Sequence, residues 1–391
     1  MLHLYDTALG VVEPLELRRP GEVSMYVCGP TVYGEPHVGH GRFTLVWDVI
    51  RRYLTWSGLE VRYVSNITDV DDKIIARAAE QGTTAEDVAV TEEAGWWRAM
   101  DALGVARPDE TPHATAFVER MIDLIGELVE RGRAYPGGDG VYFSAETVED
   151  YGLLARQPLE SLLAGARVEA SEAAGKRAPA DFALWKAAKP GEPTWESPWG
   201  PGRPGWHTEC VVMALDLLGE GFDLHGGGID LAFPHHEMSA AHGTVLTGDW
   251  PYARNHVHQA FVGYQGEKMS KSKGNLVLVS KLREAGADPM AIRLALLAHS
   301  SRDEWEWQDG ELASAADRLR RWRVAASRPA APPADQLIRE MRAALANGLD
   351  APSACQAVDR WCAAEGDDTG GAAAAAVAID ALLGVDVLPA T

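Results

Sequence analysis

The stretch Val23-Ser24-Met25-Tyr26-Val27-Cys28-Gly29-Pro30, followed by His37-Val38-Gly39-His40, decides how this chain folds. The first five residues read as a strand, and the Gly/Pro turn after them opens a helix whose apolar stripe runs through Val46, Ile50 and Leu54 at helical spacing. A helix that starts at the carboxyl end of a strand offers free N–H groups and a positive dipole end to phosphate. Gly39 leaves room for a nucleotide to approach the backbone. A second strand, Leu59-Glu60-Val61-Arg62-Tyr63-Val64, and a second helix follow. This alternation from about residue 20 to 75 predicts an α/β fold, a Rossmann-type doubly wound parallel sheet with ligands beyond the strand carboxyl ends.

Working outward, residues from about 84 to 134 read as helical, and an insertion of mixed character covers about 138–190. The nucleotide-binding pattern resumes near Pro201-Gly202-Arg203-Pro204-Gly205-Trp206 and ends with the lysine loop Lys268-Met269-Ser270-Lys271-Ser272. Beyond residue 280 the pattern is wholly helical. The expected organisation is therefore a catalytic unit over 1–280 and a C-terminal helical bundle over 281–391. Such a division suits 391 residues, more than one ordinary domain holds.

Composition narrows the class. With 46% hydrophobic and 24% charged residues the chain has an ordinary globular makeup. No window is apolar enough to span a membrane, and the N-terminus lacks the basic start and apolar run of a signal peptide, so a cytoplasmic place is expected. A net charge of −21 disfavours non-specific contact with a polyanion. The densest basic run, Arg318, Arg320, Arg321 and Arg323, reads as the solvated face of a helix. Asp69, Asp71 and Asp72 lack the glycine and distal glutamate of a calcium loop and read as helix-capping acids.

Four cysteines are too few for a disulfide scaffold. Cys28 directly follows the first strand, Cys210 lies in Trp206-His207-Thr208-Glu209-Cys210, and His235 in Pro234-His235-His236-Glu237. They are candidate soft-metal ligands or else buried thiols beside a core histidine; spacing does not choose between the two. Position does favour a metal, because Cys28 and His235 adjoin strand ends where a ligand of such a sheet lies. A three-ligand zinc site with an open position is of the catalytic type. Its softness separates a thiolate from a hydroxyl, which an apolar pocket does poorly.

Several motifs together make residues 20 to 310 resemble the cysteinyl-tRNA synthetases and the mycothiol-pathway cysteine ligases related to them. They are Met25 to Tyr33, the His-Val-Gly-His tetrad, Asn66-Ile67-Thr68-Asp69, Pro201 to Cys210, His225-Gly226-Gly227-Gly228, Phe233 to Glu237 and the lysine loop. The resemblance implies the class I aminoacyl-tRNA synthetase catalytic fold and a cysteinyl-adenylate made from L-cysteine and ATP with Mg²⁺. It implies one zinc ion on Cys28, Cys210 and His235, with Trp206 beside the bound amino acid. Gly29, Thr31, Gly39, Asn66, Thr68, Gly228, Asp230, Val262, Ser270 and Ser272 would surround the nucleotide. His37, His40, Lys268 and Lys271 would balance the charge of departing pyrophosphate.

The acceptor is read from departures. Ser239 stands where the synthetases carry a further glutamate, and Gly274 to Ser280 looks like the ligase form. The stretch after the lysine loop leaves no room for an anticodon-reading domain. These features imply a small-molecule acceptor, the amine of glucosaminyl-inositol, on a monomer that does not need tRNA. Asp69 to Lys73, Asp181 to Lys186, Gly175-Lys176-Arg177 and Phe43 look more like the synthetases. A shortened synthetase charging tRNA and a cysteine ligase for another amine are the alternatives.

Overall fold

A computed structural model of the chain describes residues 1–156, 175–248, 252–269 and 274–388. A hairpin of β1 (His3–Asp6) and β2 (Val11–Pro14) precedes β3 (Glu22–Val27), helix α1 (Val38–Trp56) and β4 (Glu60–Ser65). Helices α2 (Asp72–Gln81), α3 (Ala85–Ala102) and α4 (Val118–Glu130) follow. Then comes an antiparallel sheet of β5 (Ala134–Gly137), β6 (Gly140–Phe143), β7 (Phe182–Ala187) and β8 (Gly202–Pro204). The nucleotide-binding pattern returns with α5 (Trp206–Leu218), β9 (Phe222–Gly228), a π-type turn over Ala232–His236, α6 (Glu237–Thr247) and β10 (Ala253–Gln259).

The central sheet has the order β10-β9-β3-β4 and every pairing in it is parallel. From β3 the chain moves to β4 on one side and later places β9 on the other. The order therefore reverses between β3 and β9, and a ligand crevice opens beyond their carboxyl ends. Strand β9 is buried along its whole length, as a strand covered by helices on both faces must be. Its glycines permit this: a Cβ on Gly226 would lie 2.6 Å from the Trp47 ring of α1, and one on Gly227 2.4 Å from the His236 ring. The Cys28 N–H donates to Gly226 O at 3.0 Å, which carries the β3–β9 pairing up to the first thiol.

After β10 come β11 (Val262–Tyr264), β12 (Glu267–Lys268), α7 (Val279–Glu284), α8 (Pro289–Leu297) and β13 (Trp305–Glu306), then α9 (Glu311–Ala326), α10 (Asp335–Ala346), α11 (Ala351–Ala363) and α12 (Gly371–Leu383). Two differences from the sequence reading stand out. The insertion's sheet begins at Ala134 and ends at Pro204, outside the expected 138–190. Strand β13 interrupts the helical stretch and pairs in parallel with β11. A two-residue strand leaves no periodic trace for a sequence reading to find.

One apolar cluster runs from Met25, Trp47 and Ile50 through Leu294 and Leu296 to Trp322, Val358 and Leu382. The C-terminal helices thus share their core with α1. Behind it Arg293 pairs with Asp48, neither side chain exposed, and donates to the carbonyls of Leu103 (2.9 Å) and Leu383 (2.7 Å). Breaking a buried pair of this kind on one side strands a charge, so it ties the tail to the back of α1.

Candidate active site

At the reversal of the sheet, three elements bring their functional side chains to one point. Cys28 sits at the end of β3, Cys210 in the second turn of α5, and His235 in the π-type turn after β9. The two sulfurs are 3.4 Å apart, and His235 Nε2 lies 3.5 Å from Cys28 Sγ and 3.3 Å from Cys210 Sγ. All three residues are at most 3% exposed. A tetrahedral ion with bonds of about 2.0–2.3 Å to nitrogen and sulfur sets edges of roughly 3.5–3.8 Å, so the three atoms need part by only a few tenths of an ångström. Two thiols and an imidazole nitrogen facing one another therefore fit a soft metal ion, and this Cys/His cluster can hold one.

The surroundings prepare these donors. Burial pushes the Cys28 thiol well up. Cys210 suffers the same burial, yet the hydrogen bond from Cys28 and the neighbouring His235 hold it below the ordinary thiol value. His207 Nδ1 meets His235 Nδ1 at 3.0 Å. Burial first, and His235 second, keep His207 neutral. His207 is thus placed to accept from His235 Nδ1, which fixes the His235 ring with Nε2 facing the sulfurs. Trp206 stacks on the His235 ring, centroids 4.0 Å apart. Ser239, which replaces a carboxylate in the resemblance, donates at 2.8 Å to His235 O in the π-type turn before its helix.

Sequence reasoning missed two members. His236 Nε2 lies 3.1 Å from Cys28 Sγ, close enough that Cys28, His235 and His236 also form a group with all ligand atoms within 4.8 Å. His225 Nε2 lies 3.6 Å from the same sulfur and its ring stacks on His236 at 4.0 Å. The adjacent His235-His236 pair and the histidine opening His225-Gly226-Gly227-Gly228 were the available signals. His236 continues outward: its Nδ1 is 2.7 Å from His258 Nε2, and Thr7 Oγ1 is 2.7 Å from His258 Nδ1.

Next to the cluster, Asn66 Oδ1 accepts from Gly29 N at 2.9 Å and from Tyr26 OH at 3.2 Å, while Asn66 Nδ2 donates to Thr68 Oγ1 at 3.1 Å. Thr68 Oγ1 donates to Glu209 Oε2 at 3.2 Å, and Thr31 pairs with Thr68 through the backbone. Burial, with the nearby Cys210 charge, pushes the Glu209 carboxyl well above the usual range. Asn66 and Thr68 are each 1% exposed, so they brace the Gly29–Pro30 turn from beneath. Asp71 caps α2 through Lys73 N and Asp72 is the acid of its first turn, as expected, whereas Asp69 reaches away from α2 to accept from Thr115 N.

A second group lies on the α1 side of the crevice. His37 is the N-cap of α1: its Nδ1 accepts from Gly39 N at 3.1 Å, and His40 Nδ1 accepts from His37 N at 3.3 Å. The two rings stack with centroids 3.8 Å apart. Gly228 ends β9, and Asp230 just beyond it forms an ion pair with Lys268 at the end of β12. Val262 is buried in the main core. Ser270, Lys271 and Ser272 lie outside the described residues.

A parallel sheet with a ligand crevice at its point of reversal, and paired histidines opening the first helix, is the catalytic architecture of class I aminoacyl-tRNA synthetases; this chain adds thiols and imidazoles at that point. Residues 14–317 match the family model described as tRNA synthetases class I (C) catalytic domain. Among curated relatives, the L-cysteine:1D-myo-inositol 2-amino-2-deoxy-alpha-D-glucopyranoside ligase of Thermobispora bispora is 46% identical over 98% of this chain and 95% of its own. The ligase of the same name from Streptomyces avermitilis is 47% identical over the same shares. Among solved structures, methionyl-tRNA synthetase of Mycobacterium tuberculosis bound by methionyl-adenylate superposes with a TM-score of 0.66 at 15% identity, over 93% of this chain and 92% of that one. The chain belongs to the class I (C) synthetase family, on the branch of the L-cysteine:1D-myo-inositol 2-amino-2-deoxy-alpha-D-glucopyranoside ligases.

Proposed function

We propose that this protein is an ATP-dependent, AMP-forming ligase that joins L-cysteine, through a cysteinyl-adenylate, to the amine of 1D-myo-inositol 2-amino-2-deoxy-alpha-D-glucopyranoside, a step of mycothiol biosynthesis. The observation that carries this reading is the near-full-length kinship with ligases of that name, 46% identity across 98% of the chain. The thiol–imidazole cluster at the sheet's reversal supports it, since it is a site suited to the sulfur of cysteine.

Cys28, Cys210 and His235 would hold zinc, with His207 and Trp206 fixing the His235 ring. When bound, that ion supplies a soft Lewis acid that prefers a thiolate to a hydroxyl side chain. The cysteine carboxylate attacks the α-phosphorus of ATP, brought as its Mg²⁺ complex; the new O–P bond forms as the bond to pyrophosphate breaks. His37, His40 and the positive dipole end of α1 meet the charge on the departing phosphates together with Lys268, and Lys271, outside the described residues, is expected to share that role. For this Lys268 must exchange Asp230 for phosphate. The acceptor nitrogen then attacks the activated carbonyl; an amide C–N bond forms and AMP leaves. These roles are positioning and electrostatics, with no protein nucleophile.

The protein works on small molecules, as a monomer in the cytoplasm. No helix among the described residues is long and apolar enough to cross a membrane. Three arginines of the run that would suit tRNA already pair with acids of this chain, although Arg320 stays largely exposed. Arg318 pairs with Asp359, Arg320 with Asp317, and Arg323 with Asp288.

The test is cysteine-dependent AMP release from ATP, offered the amino-sugar inositol or total tRNA. Release with the amino sugar alone is the expected result. Release with tRNA alone overturns the acceptor, and absence of cysteine-dependent ATP–pyrophosphate exchange overturns the activation step.

A further inference from the structure

Arg42 stands two residues beyond His40 on α1, and is 1% exposed. Its guanidinium is spent on backbone carbonyls from two other segments. Nη1 donates to Phe261 O at 3.4 Å; Nη2 donates to Asp303 O at 2.9 Å and to Ser300 O. Phe261 is the joint between β10 and β11, and Lys268 Nζ lies 5.7 Å from its ring. The 300–303 turn leads into β13, which pairs with β11. Ala260 N donates to Ser301 O at 2.9 Å, so the two segments are also tied to each other. Arg42 thus bolts the entries of β11 and β13, the two parallel strands of the small sheet β12-β11-β13, to the helix that carries the histidines.

The far side of the lysine loop has its own anchor on the same turn. Val38 N donates to Val277 O at 2.9 Å and Val279 N to Pro36 O at 3.2 Å. The neck between the two anchors is closed by Asn275 Nδ2, which donates to Tyr264 O at 3.1 Å and to Lys268 O at 3.3 Å. A fixed stem of this kind sets where the Lys268 ammonium can reach relative to His37 and His40.

We infer that Arg42 is a positioning residue for adenylate formation, holding the stem of the lysine loop in register with the phosphate-facing turn of α1. A planar fork with five donors can bind three carbonyls from two segments at once, and a lysine ammonium at the same place cannot reproduce that geometry. The inference rests on the adenylating reading above. Wild-type exchange tests that reading alone; the ratio of variant to wild type tests Arg42.

The experiment compares wild type, Arg42→Lys and Arg42→Met in cysteine-dependent ATP–pyrophosphate exchange. It also follows, in a single turnover, AMP release when enzyme-bound adenylate is chased with the amino sugar. Metal content is recorded for each variant. Arg42→Lys is expected to lose about 10- to 100-fold in the exchange kcat, the scale of a misplacement near 1 Å. The chase rate, the KM for cysteine and the metal content should stay at wild-type values, because pyrophosphate takes no part in transfer. In a Lys268→Ala background the same substitution should change exchange less than about twofold, since the residue it positions is gone. Wild-type exchange by Arg42→Lys overturns the inference. So does a proportional fall of exchange and chase together, or a full multiplicative effect in the Lys268→Ala background. Should Arg42→Met fail to fold, Arg42→Lys keeps the charge and decides alone.

Discussion

At the scale of single residues, the thiol–imidazole cluster separates what spacing can say from what only register can say. Cys28, Cys210 and His235 were legible as candidates by residue type, and Cys28 and His235 also by position, since each adjoins a strand end in an α/β pattern. His225 and His236 were not. Their approach to Cys28 depends on the β3–β9 pairing and on which way the π-type turn points, and neither leaves a mark in local sequence. The geometry ranks the two groups. His235 directs Nε2 at both sulfurs, while His236 reaches Cys28 Sγ alone and uses its other nitrogen on His258. Cys210→Ser is therefore expected to strip the metal from the purified protein. His236→Asn should keep about one ion per chain but weaken its hold 10- to 100-fold, as loss of a supporting partner does. Metal analysis with a chelator competition series reads both. If His236→Asn loses the ion as completely as Cys210→Ser, His236 is a ligand in its own right.

At the scale of elements, α1 is the part where sequence and structure agree most closely. The Gly/Pro turn and the stripe through Val46, Ile50 and Leu54 placed it, and those three residues are buried. The reason for Gly39 is more local than nucleotide access. A Cβ there would come 2.8 Å from His37 Cε1, because the His37 ring folds back over the first turn to accept from Gly39 N. Gly39→Ala is thus expected to push His37 out of its cap and lower pyrophosphate exchange about 100-fold, the lower end for a lost positioned group. Far-UV circular dichroism and the KM for cysteine should hold. An unchanged exchange rate would mean that the folded-back ring has no part in handling ATP. The antiparallel sheet was the least legible element. Its strands β6 and β7 are far apart in the chain, and it is latched to α2 by Lys186 and Arg203 on Asp72, contacts that no local pattern forecasts.

At the scale of the whole molecule, composition gave an acidic globular chain, but not that so many histidines would be locked in its interior. His242, His256 and His258 are buried and held neutral, pushed by that burial down to about 4, about 4 and about 3 from an ordinary 6.5. The sign follows from proton counting. Below pH 6.5 the unfolded chain binds protons that these rings refuse in the fold, so stability is fully present above that value and declines as pH falls toward 4. Each ring contributes up to about 1.4 kcal/mol per pH unit in that window. Three acting together amount to about 4 kcal/mol per unit, against a total stability of about 5–15 kcal/mol for an ordinary fold. Acid unfolding should therefore set in near pH 5, above the range where carboxylates titrate. Denaturant midpoints at pH 7.5, 6.5 and 5.5 measure the slope, and His242→Phe provides the control. That ring lies among Phe143 and Phe182 and is no member of the thiol–imidazole cluster, and among the described residues its Nε2 is buried without a partner, so a phenyl ring suits the niche. The variant is expected to flatten the slope between pH 6.5 and 5.5 by about one proton. A slope that His242→Phe leaves unchanged would place the acid sensitivity elsewhere than in the buried rings.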